Sequence, residues 1–479
     1  MSRVDARLLA ALRRRLGADA VRDDPAQRIA CESDALTLFR SRPAAVVAPR
    51  DRDGLCDAVR MLHDAGVPFA PRGAGTGLSG GALPPPGGVV LSTARLDRIV
   101  SIEPDVGRAV VEPGVVNAEL SRRAARFGLR YAPDPASQIT CTLGGNVAEN
   151  AGGPRCFRYG TTTHHVLALE VVLADGRREV WGNPTAESDD LDLRGLAIGS
   201  EGALAVVVSA VVRLLPIPEA VETLLAAYPD VASSCHAVAD VVAAGFRPAA
   251  MEVMDRLAIR AVEDSHWRAG LPTDAGSVLI VELEGAAERV AADVVEVEAL
   301  LRARGPTRLE RARDEAQRRA LWKGRKGAGG ALGRLAPDAY VMDGVVPRSR
   351  LAEVMAFVAE VEAETGLPVA NLFHAGDGNI HPHFAYDARD EEQVARVERA
   401  GARILRKCLE LGGSLSGEHG IGLEKQHLLE LQFDTATLEA MRRIGAAFDP
   451  NGVLNPDKGL PLPRGCAEAF HRHGRASAR

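Results

Sequence analysis

Pro71-Arg-Gly-Ala-Gly-Thr-Gly-Leu-Ser-Gly-Gly81 is the stretch on which the fold turns. Within it, Gly75-Thr-Gly-Leu-Ser-Gly80 matches the G-x-G-x-x-G pattern of a dinucleotide-binding turn. That turn must open a helix, but Leu83-Pro-Pro-Pro86 follows at once, and a proline run removes donors and crowds the preceding turn. The pattern therefore argues against a Rossmann fold. What remains is a loop of backbone N–H groups that side chains do not crowd, a nest suited to a pyrophosphate. The plain alternative is a floppy surface loop. Five glycines between residues 73 and 81 would be costly to order without a ligand, because glycine loses the most freedom on folding.

Working outward, residues 144–153 and Gly199-Ser-Glu-Gly202 make the same offer of exposed backbone. Three such segments suit a large, bent ligand held mainly by main chain. The surrounding pattern mixes helices and strands. Residues 1–40 read as helical and polar. Ala44–Ala48, Val67–Ala70, Val89–Leu91, Arg108–Glu112, Leu167–Leu173, Arg178–Trp181 and Ala205–Leu215 read as strands. Helices over 51–65 and Asn117–Phe127 stop at Gly66 and Gly128, and residues 133–165 read as loop-rich. Pro216 and Pro218 mark the best boundary. Beyond it, Val278–Leu283 and Ala339–Val346 read as strands, and 286–304, 349–365 and 391–411 as helices. A helix over 311–322 leads into Trp322-Lys-Gly-Arg-Lys326. The tail after Pro463 reads as loosely docked.

The chain has 479 residues, enough for several domain-sized units. With 46% hydrophobic and 25% charged residues it has the composition of a globular protein. A net charge of -6 gives no basic field for nucleic acid. There is no apolar run of about 18 residues, and Met1–Ala20 lacks the apolar core of a secretory signal. Seven scattered cysteines without a C-x-x-C pair point to a reducing compartment and away from an iron–sulfur cluster on this chain. The expected location is the cytoplasm, with peripheral attachment at the inner membrane through partners as a variant.

Asn371-Leu-Phe-His-Ala-Gly-Asp-Gly-Asn-Ile-His-Pro-His-Phe384 gathers three of the 12 histidines, His374, His381 and His383, around a Gly-Asp-Gly turn. On a following strand His381 and His383 share one face. Neutral imidazole is a common metal ligand; polar turn residues with no metal are the bland alternative. Further on, Ser416-Gly-Glu-His-Gly-Ile-Gly422 places Glu418 and His419 between glycines, where both can approach a ligand. Two imidazoles and a carboxylate, His374, His381 and Glu418, make the set used by open catalytic zinc sites.

Together these motifs resemble a known family. Pro71–Gly81, Cys141-Thr-Leu-Gly-Gly-Asn146, Asn150-Ala-Gly-Gly153, Gly199-Ser-Glu-Gly202 and Asn455-Pro456 are similar to the FAD-binding segments of the vanillyl-alcohol oxidase/p-cresol methylhydroxylase (PCMH) fold. The histidine stretch, Ser416–Gly422 and Trp322–Lys326 resemble its 2-hydroxy-acid dehydrogenase branch, which includes the glycolate oxidase flavoprotein D subunit, D-lactate dehydrogenases and D-2-hydroxyglutarate dehydrogenase. The match runs from about residue 40 to 460.

The resemblance implies an α+β protein. A PCMH-type FAD-binding domain covers residues 1–218 (core about 40–218), and a substrate domain with an antiparallel sheet and helices covers 219–415. A C-terminal segment, 416–479, completes the active site and returns to the first domain. It implies FAD contacts at Pro71, Arg72, Gly73, Ala74, Gly75, Thr76, Gly77, Ser79, Gly80 and Gly81. Further contacts fall at Pro135, Ser137, Thr140, Gly144, Gly145, Asn146, Ala148, Asn150, Gly153, Glu201, Gly202, Val206 and Asn455. No histidine lies between residues 64 and 163, so the FAD is expected to be non-covalent. His374, His381 and Glu418 are the expected ligands of a divalent metal, zinc or manganese, and His419 the general base. Arg325 is the candidate for the substrate carboxylate, because a guanidinium fork matches it bidentately, and His383 is placed beside the substrate. Gly329 and Met342 stand where hydroxyglutarate enzymes carry a Thr and a Lys, which favours a small monocarboxylate such as glycolate or D-lactate. Electrons are expected to pass to a separate acceptor, an iron–sulfur subunit or an electron-transfer flavoprotein, and a homodimer is compatible with the pattern. Two alternatives stand beside this reading: a transferase like alkyl-glycerone-phosphate synthase, and a flavoprotein subunit that works only within a complex.

Overall fold

The computed structural model describes residues 4–185 and 191–461, so the expectation for the tail after Pro463 lies outside the described residues. The chain divides into two compact units. The first takes the chain up to Ala151, Thr161–Ile217 and the chain from Glu418 on; the second takes Gly152–Gly160 and Pro218–Gly417.

In the first unit, Asp51 caps the helix Arg52–Asp64 by accepting the Gly54 N–H at 2.7 Å. The buried side of that helix, Leu55, Val59 and Leu62, shares a core with Val47, Phe69, Val89 and Leu91 of a small sheet. There Ala45–Val47, Val89–Ser92 and Phe69–Arg72 run parallel, with Val21–Arg22 antiparallel at the edge. Leu454 bridges Phe69, so the C-terminal segment joins the free side of the strand that leads into the glycine loop. A second, antiparallel sheet runs in the order Ile99–Glu103, Arg108–Val111, Val206–Arg213, Val166–Val172, Arg178–Gly182.

The second unit is built on one antiparallel sheet. Its order is Arg308–Arg311, Ala220–Tyr228, Ser277–Gly285, Ala250–Asp255, Val369–His374, Asn379–Ile380, Gly344–Val345. Pro382–Tyr386 pairs with both Val369–His374 and Asp338–Val341. The helices Arg256–Glu263 and Glu315–Leu332 share a core with Met254, Ala370 and Leu372 of this sheet.

Three local readings change. Residues 1–40 hold one substantial helix, Ala6–Leu16, and then a short strand and a single helical turn, Pro25–Ile29. The expected loop around Gly144 contains a helix, Leu143–Glu149, whose first turn Thr142 caps and which Asn150 ends in a left-handed conformation. The helix at 311–322 in fact runs from Glu315 to Leu332, straight through a glycine-rich stretch. Tertiary packing overrides propensity there: Gly324 and Gly327 lie against Ala269 and the Trp267 indole, with no room for a Cβ.

Candidate active site

The strand Phe69–Arg72 carries the chain into the glycine loop. Arg72 turns back beneath it, donating to Ser33 O at 2.9 Å and Ala82 O at 3.4 Å. Gly75 and Gly80 take φ of 71° and 81°, and a Cβ on Gly75 would run into the Arg72 guanidinium. A Cβ on Gly73 would strike the Thr142 hydroxyl, so the first two glycine-rich segments are in contact. The third segment lies along the same helix: Gly199 N donates to Val147 O at 2.9 Å and Glu201 N to Ala148 O at 2.8 Å.

Asn455 fastens these pieces together. Its Nδ2 donates to Gly81 O at 3.0 Å and Glu201 O at 2.6 Å, and its backbone N–H to Phe69 O at 2.7 Å. Asn150, Glu201 and Asn455 are non-glycine residues with φ of 52°, 54° and 42°. Left-handed backbone at such residues is strained and gathers at ligand sites, and all three were singled out from the sequence as cofactor contacts. Pro135, Ser137 and Thr140 form a tight turn, with Thr140 N donating to Ser137 O at 2.8 Å. Val206 is buried in its strand. Gly153 belongs to the second unit.

These residues fit the flavin cofactor. Among the described residues, no acceptor takes the backbone N–H groups of Gly75, Thr76 and Gly77. The buried Ser79 hydroxyl has no hydrogen-bond partner among the described residues. Donors left open in a cradle of this kind are what a pyrophosphate requires.

Near the same loop lies a set of buried titratable groups, of which sequence reasoning missed Asp34, Glu149 and Lys458 and marked Glu201 only as a cofactor contact. Asp34 accepts Gly80 N at 2.8 Å, and burial pushes its carboxyl up to about 7. Glu149 and Glu201 face each other across Gly81 and Gly420, and both carboxyls are raised, chiefly by burial. Lys458 donates to Leu83 O and Asn455 Oδ1, and burial pushes its amine down to about 7. Glu201 also accepts the N–H of Ile421 at 2.7 Å and of Gly422 at 2.8 Å, holding the loop just after Glu418 and His419.

In the second unit, His374 and His381 stand edge to face with ring centroids 5.1 Å apart, and both are about 5% exposed. A ligating atom of each lies within 4.8 Å of the other. His374 Nδ1 sits 2.8 and 3.0 Å from the two oxygens of Glu252, and His381 Nδ1 donates to Met342 O at 2.9 Å. A carboxylate and a carbonyl both demand the proton on Nδ1, so Nε2 is the nitrogen that either ring could offer to a cation. His383 Nδ1 donates to His381 O at 2.7 Å. Met342 itself is fully buried, with its sulfur against Gly401.

Arg325, on the helix Glu315–Leu332, is 5% exposed and pairs with Glu252 through Nη2 at 2.5 Å. Its Nε is buried without an acceptor among the described residues, so part of the fork remains for a carboxylate. Glu252 was not singled out from the sequence. The available signal was an acid in the middle of the otherwise apolar run Ala250–Met254. Asp343, fully buried, was also missed. It accepts from Asn379 Nδ2 at 2.8 Å, Ser416 Oγ at 2.6 Å and Gly417 N at 3.1 Å, fixing the chain immediately before Glu418 and His419, which are assigned to the first unit.

Comparison with known proteins accords with this geometry. Residues 217–459 match the family model described as FAD linked oxidases, C-terminal domain, and residues 43–181 match the FAD binding domain. The chain is 45% identical over 444 residues to the glycolate oxidase subunit GlcD of Escherichia coli K12, covering 92% of this chain and 89% of the relative. It is 38% identical over 437 residues to GlcD of Bacillus subtilis, covering 91% and 93%. To a probable mitochondrial D-lactate dehydrogenase of Danio rerio it is 33% identical over 439 residues, covering 89% and 86%. Among solved structures, p-cresol methylhydroxylase superposes with a TM-score of 0.82 at 16% identity, covering 95% and 97% of the two chains. An alkyldihydroxyacetonephosphate synthase superposes at 0.73 and 17%, covering 95% and 85%. The fold is thus the α+β, PCMH-type architecture that the loop motifs implied, and the chain belongs to the FAD-linked oxidase family as an FAD-dependent oxidoreductase.

Proposed function

We propose that the protein oxidises a small 2-hydroxy acid, of the glycolate or D-lactate type, to the 2-oxo acid. The first unit is the FAD-binding domain, the second the substrate domain, and the segment from residue 416 contributes the remaining side chains. FAD, held non-covalently, supplies the acceptor for the hydride leaving C2, and a divalent cation, zinc or manganese, supplies positive charge beside the hydroxyl. His374, His381 and Glu418 hold that cation. Arg325 binds the carboxylate and so orients C2. His419 accepts the hydroxyl proton. His383 lies beside the bound acid. Met342 and Gly329 offer no charge to a second carboxylate, which favours a monocarboxylate.

The observation that carries this reading is the arrangement around Glu252. One buried carboxylate is shared by a histidine, whose Nδ1 it engages, and an arginine with a donor to spare. Relatives named as glycolate oxidase subunits favour a chain that works with partners, and we assign its electrons to a separate acceptor, an iron–sulfur subunit or an electron-transfer flavoprotein. No helix among the described residues is long and apolar enough to cross a membrane. We place the chain in the cytoplasm, with partners accounting for any attachment to the inner membrane.

Chelation tests the proposal. Removing divalent cations abolishes turnover of glycolate and D-lactate and leaves the flavin bound; undiminished turnover would count against the cation's role. Denaturation releases all flavin into the supernatant, whereas flavin retained on the chain would contradict non-covalent binding. One alternative is an FAD transferase like alkyl-glycerone-phosphate synthase, a chemistry the same fold can host. That chemistry has no net oxidation, so a simple hydroxy acid would leave the flavin oxidised.

A further inference from the structure

We propose that Glu252 is a positioning residue that makes the cation ligand His374 and the carboxylate anchor Arg325 a single coupled unit. The inference rests on the functional reading above, which assigns those two roles but leaves them independent.

Glu252 and His374 are direct partners across adjacent antiparallel strands, Ala250–Asp255 and Val369–His374. Their side chains therefore leave the same face of the sheet. The helix Glu315–Leu332 shares a core with the neighbouring pair Met254 and Leu372 and carries Arg325 to the carboxylate. Glu252 is fully buried. It takes the His374 Nδ1–H with both oxygens, at 2.8 and 3.0 Å, and the Arg325 Nη2–H at 2.5 Å.

The sharing has two consequences. A carboxylate behind an imidazole fixes the ring's tautomer and rotation and makes Nε2 a better donor to a cation. A carboxylate behind a guanidinium fixes the plane of the fork and leaves only its remaining donors for substrate. Because Oε2 serves both partners, the charge drawn by Arg325 is charge withheld from His374. When a substrate carboxylate engages Arg325, that guanidinium leans less on Glu252, and His374 gains basicity. Cation binding and carboxylate binding therefore strengthen each other, and such linkage is reciprocal.

The test uses the full-length, FAD-loaded protein. Manganese affinity is measured by titration, and affinity for pyruvate, as an unreactive 2-oxo acid, from the perturbation of the flavin spectrum. Glu252→Gln, which keeps the side chain's size, is expected to weaken both affinities, manganese by about 10- to 100-fold, with FAD content and Tm close to wild type. Arg325→Met removes no cation ligand, yet is expected to tighten manganese binding several-fold while weakening pyruvate. This second variant leaves Glu252 in place, so the inference is still tested if Glu252→Gln fails to fold. Unchanged manganese affinity in Arg325→Met, or in folded Glu252→Gln, overturns the inference. A wild-type protein that binds no manganese, or binds it equally with His374→Ala, sinks the functional reading and this inference with it. Manganese held through His374 but indifferent to Glu252 sinks this inference alone.

Discussion

Glu201 accepts the backbone N–H of Gly422 at 2.8 Å, and that of Ile421 through the same oxygen. A residue of the third glycine-rich segment, itself strained at φ 54°, thus pins the loop that follows Glu418 and His419. Glu201→Ala leaves two loop donors without their acceptor, at about 1–3 kcal/mol for each one that water cannot reach. Its expected signature is a lower Tm and faster proteolysis within residues 416–425. Glu201→Gln retains an accepting oxygen and is expected to lose much less. Equal losses in the two variants would show that the hydrogen bonds are not what matters.

Asp343 holds the same loop from its other end, through Ser416 Oγ and Gly417 N. Asp343→Ala is expected to lower kcat by on the order of 100-fold, the scale of misplacing a catalytic group by about 1 Å. FAD content should stay unchanged, because Asp343 lies in the other unit from the glycine loops. Steady-state kinetics beside the flavin-to-protein absorbance ratio checks both halves of the expectation.

Gly75→Ala tests the cradle. The substitution meets a left-handed backbone, costing roughly 1–2 kcal/mol, and crowds the Arg72 guanidinium. A folded protein that binds FAD about tenfold more weakly is expected, read by fluorescence titration of the flavin-free chain. Gly87, also at positive φ but with open space around it, provides the control: Gly87→Ala should lower Tm and leave FAD affinity alone.

The buried charges make the flavin-free protein pH-sensitive in opposite directions on either side of neutrality. Lys458 is pushed down to about 7 from 10.5 by burial, so its charged form penalises folding below about pH 7. That penalty is relieved as pH rises from about 7 to 10.5. Asp34 is pushed up to about 7 from 3.8, again by burial, so its contribution is complete below about pH 4 and is lost as pH rises to 7. Each amounts to a few kcal/mol at most, from about 1.4 kcal/mol per pKa unit. Tm measured against pH should show the alkaline rise flattened in Lys458→Met and the acid-side decline flattened in Asp34→Asn.

The parts of the fold legible in the sequence were those written in local chemistry. The proline run after Gly80 excluded a Rossmann helix, and Gly66 and Gly128 ended their helices. The helix Leu143–Glu149 escaped notice because two of its first three residues are glycine; the Thr142 cap and the Pro113 surface that packs on Gly144 hold it. At the site, the residues meant to meet ligands were marked by glycine neighbours and clustered histidines. Those that hold them, Glu252 and Asp343, come from a strand and a strand end far from them in the chain. Each is a single polar residue whose purpose depends on a partner that only strand register supplies. Lys458 and Asp34, more than 400 positions apart, illustrate the same limit.

The role proposed for His419, taking the hydroxyl proton while C2 of the acid gives its hydride to the flavin, is open to one anaerobic measurement. Wild-type protein and His419→Ala, both carrying FAD, are mixed with glycolate or D-lactate while the flavin absorbance is followed. Bleaching is expected in the wild type and none in the variant. An unbleached wild type with either acid, or a variant reduced at the wild-type rate, would contradict that role.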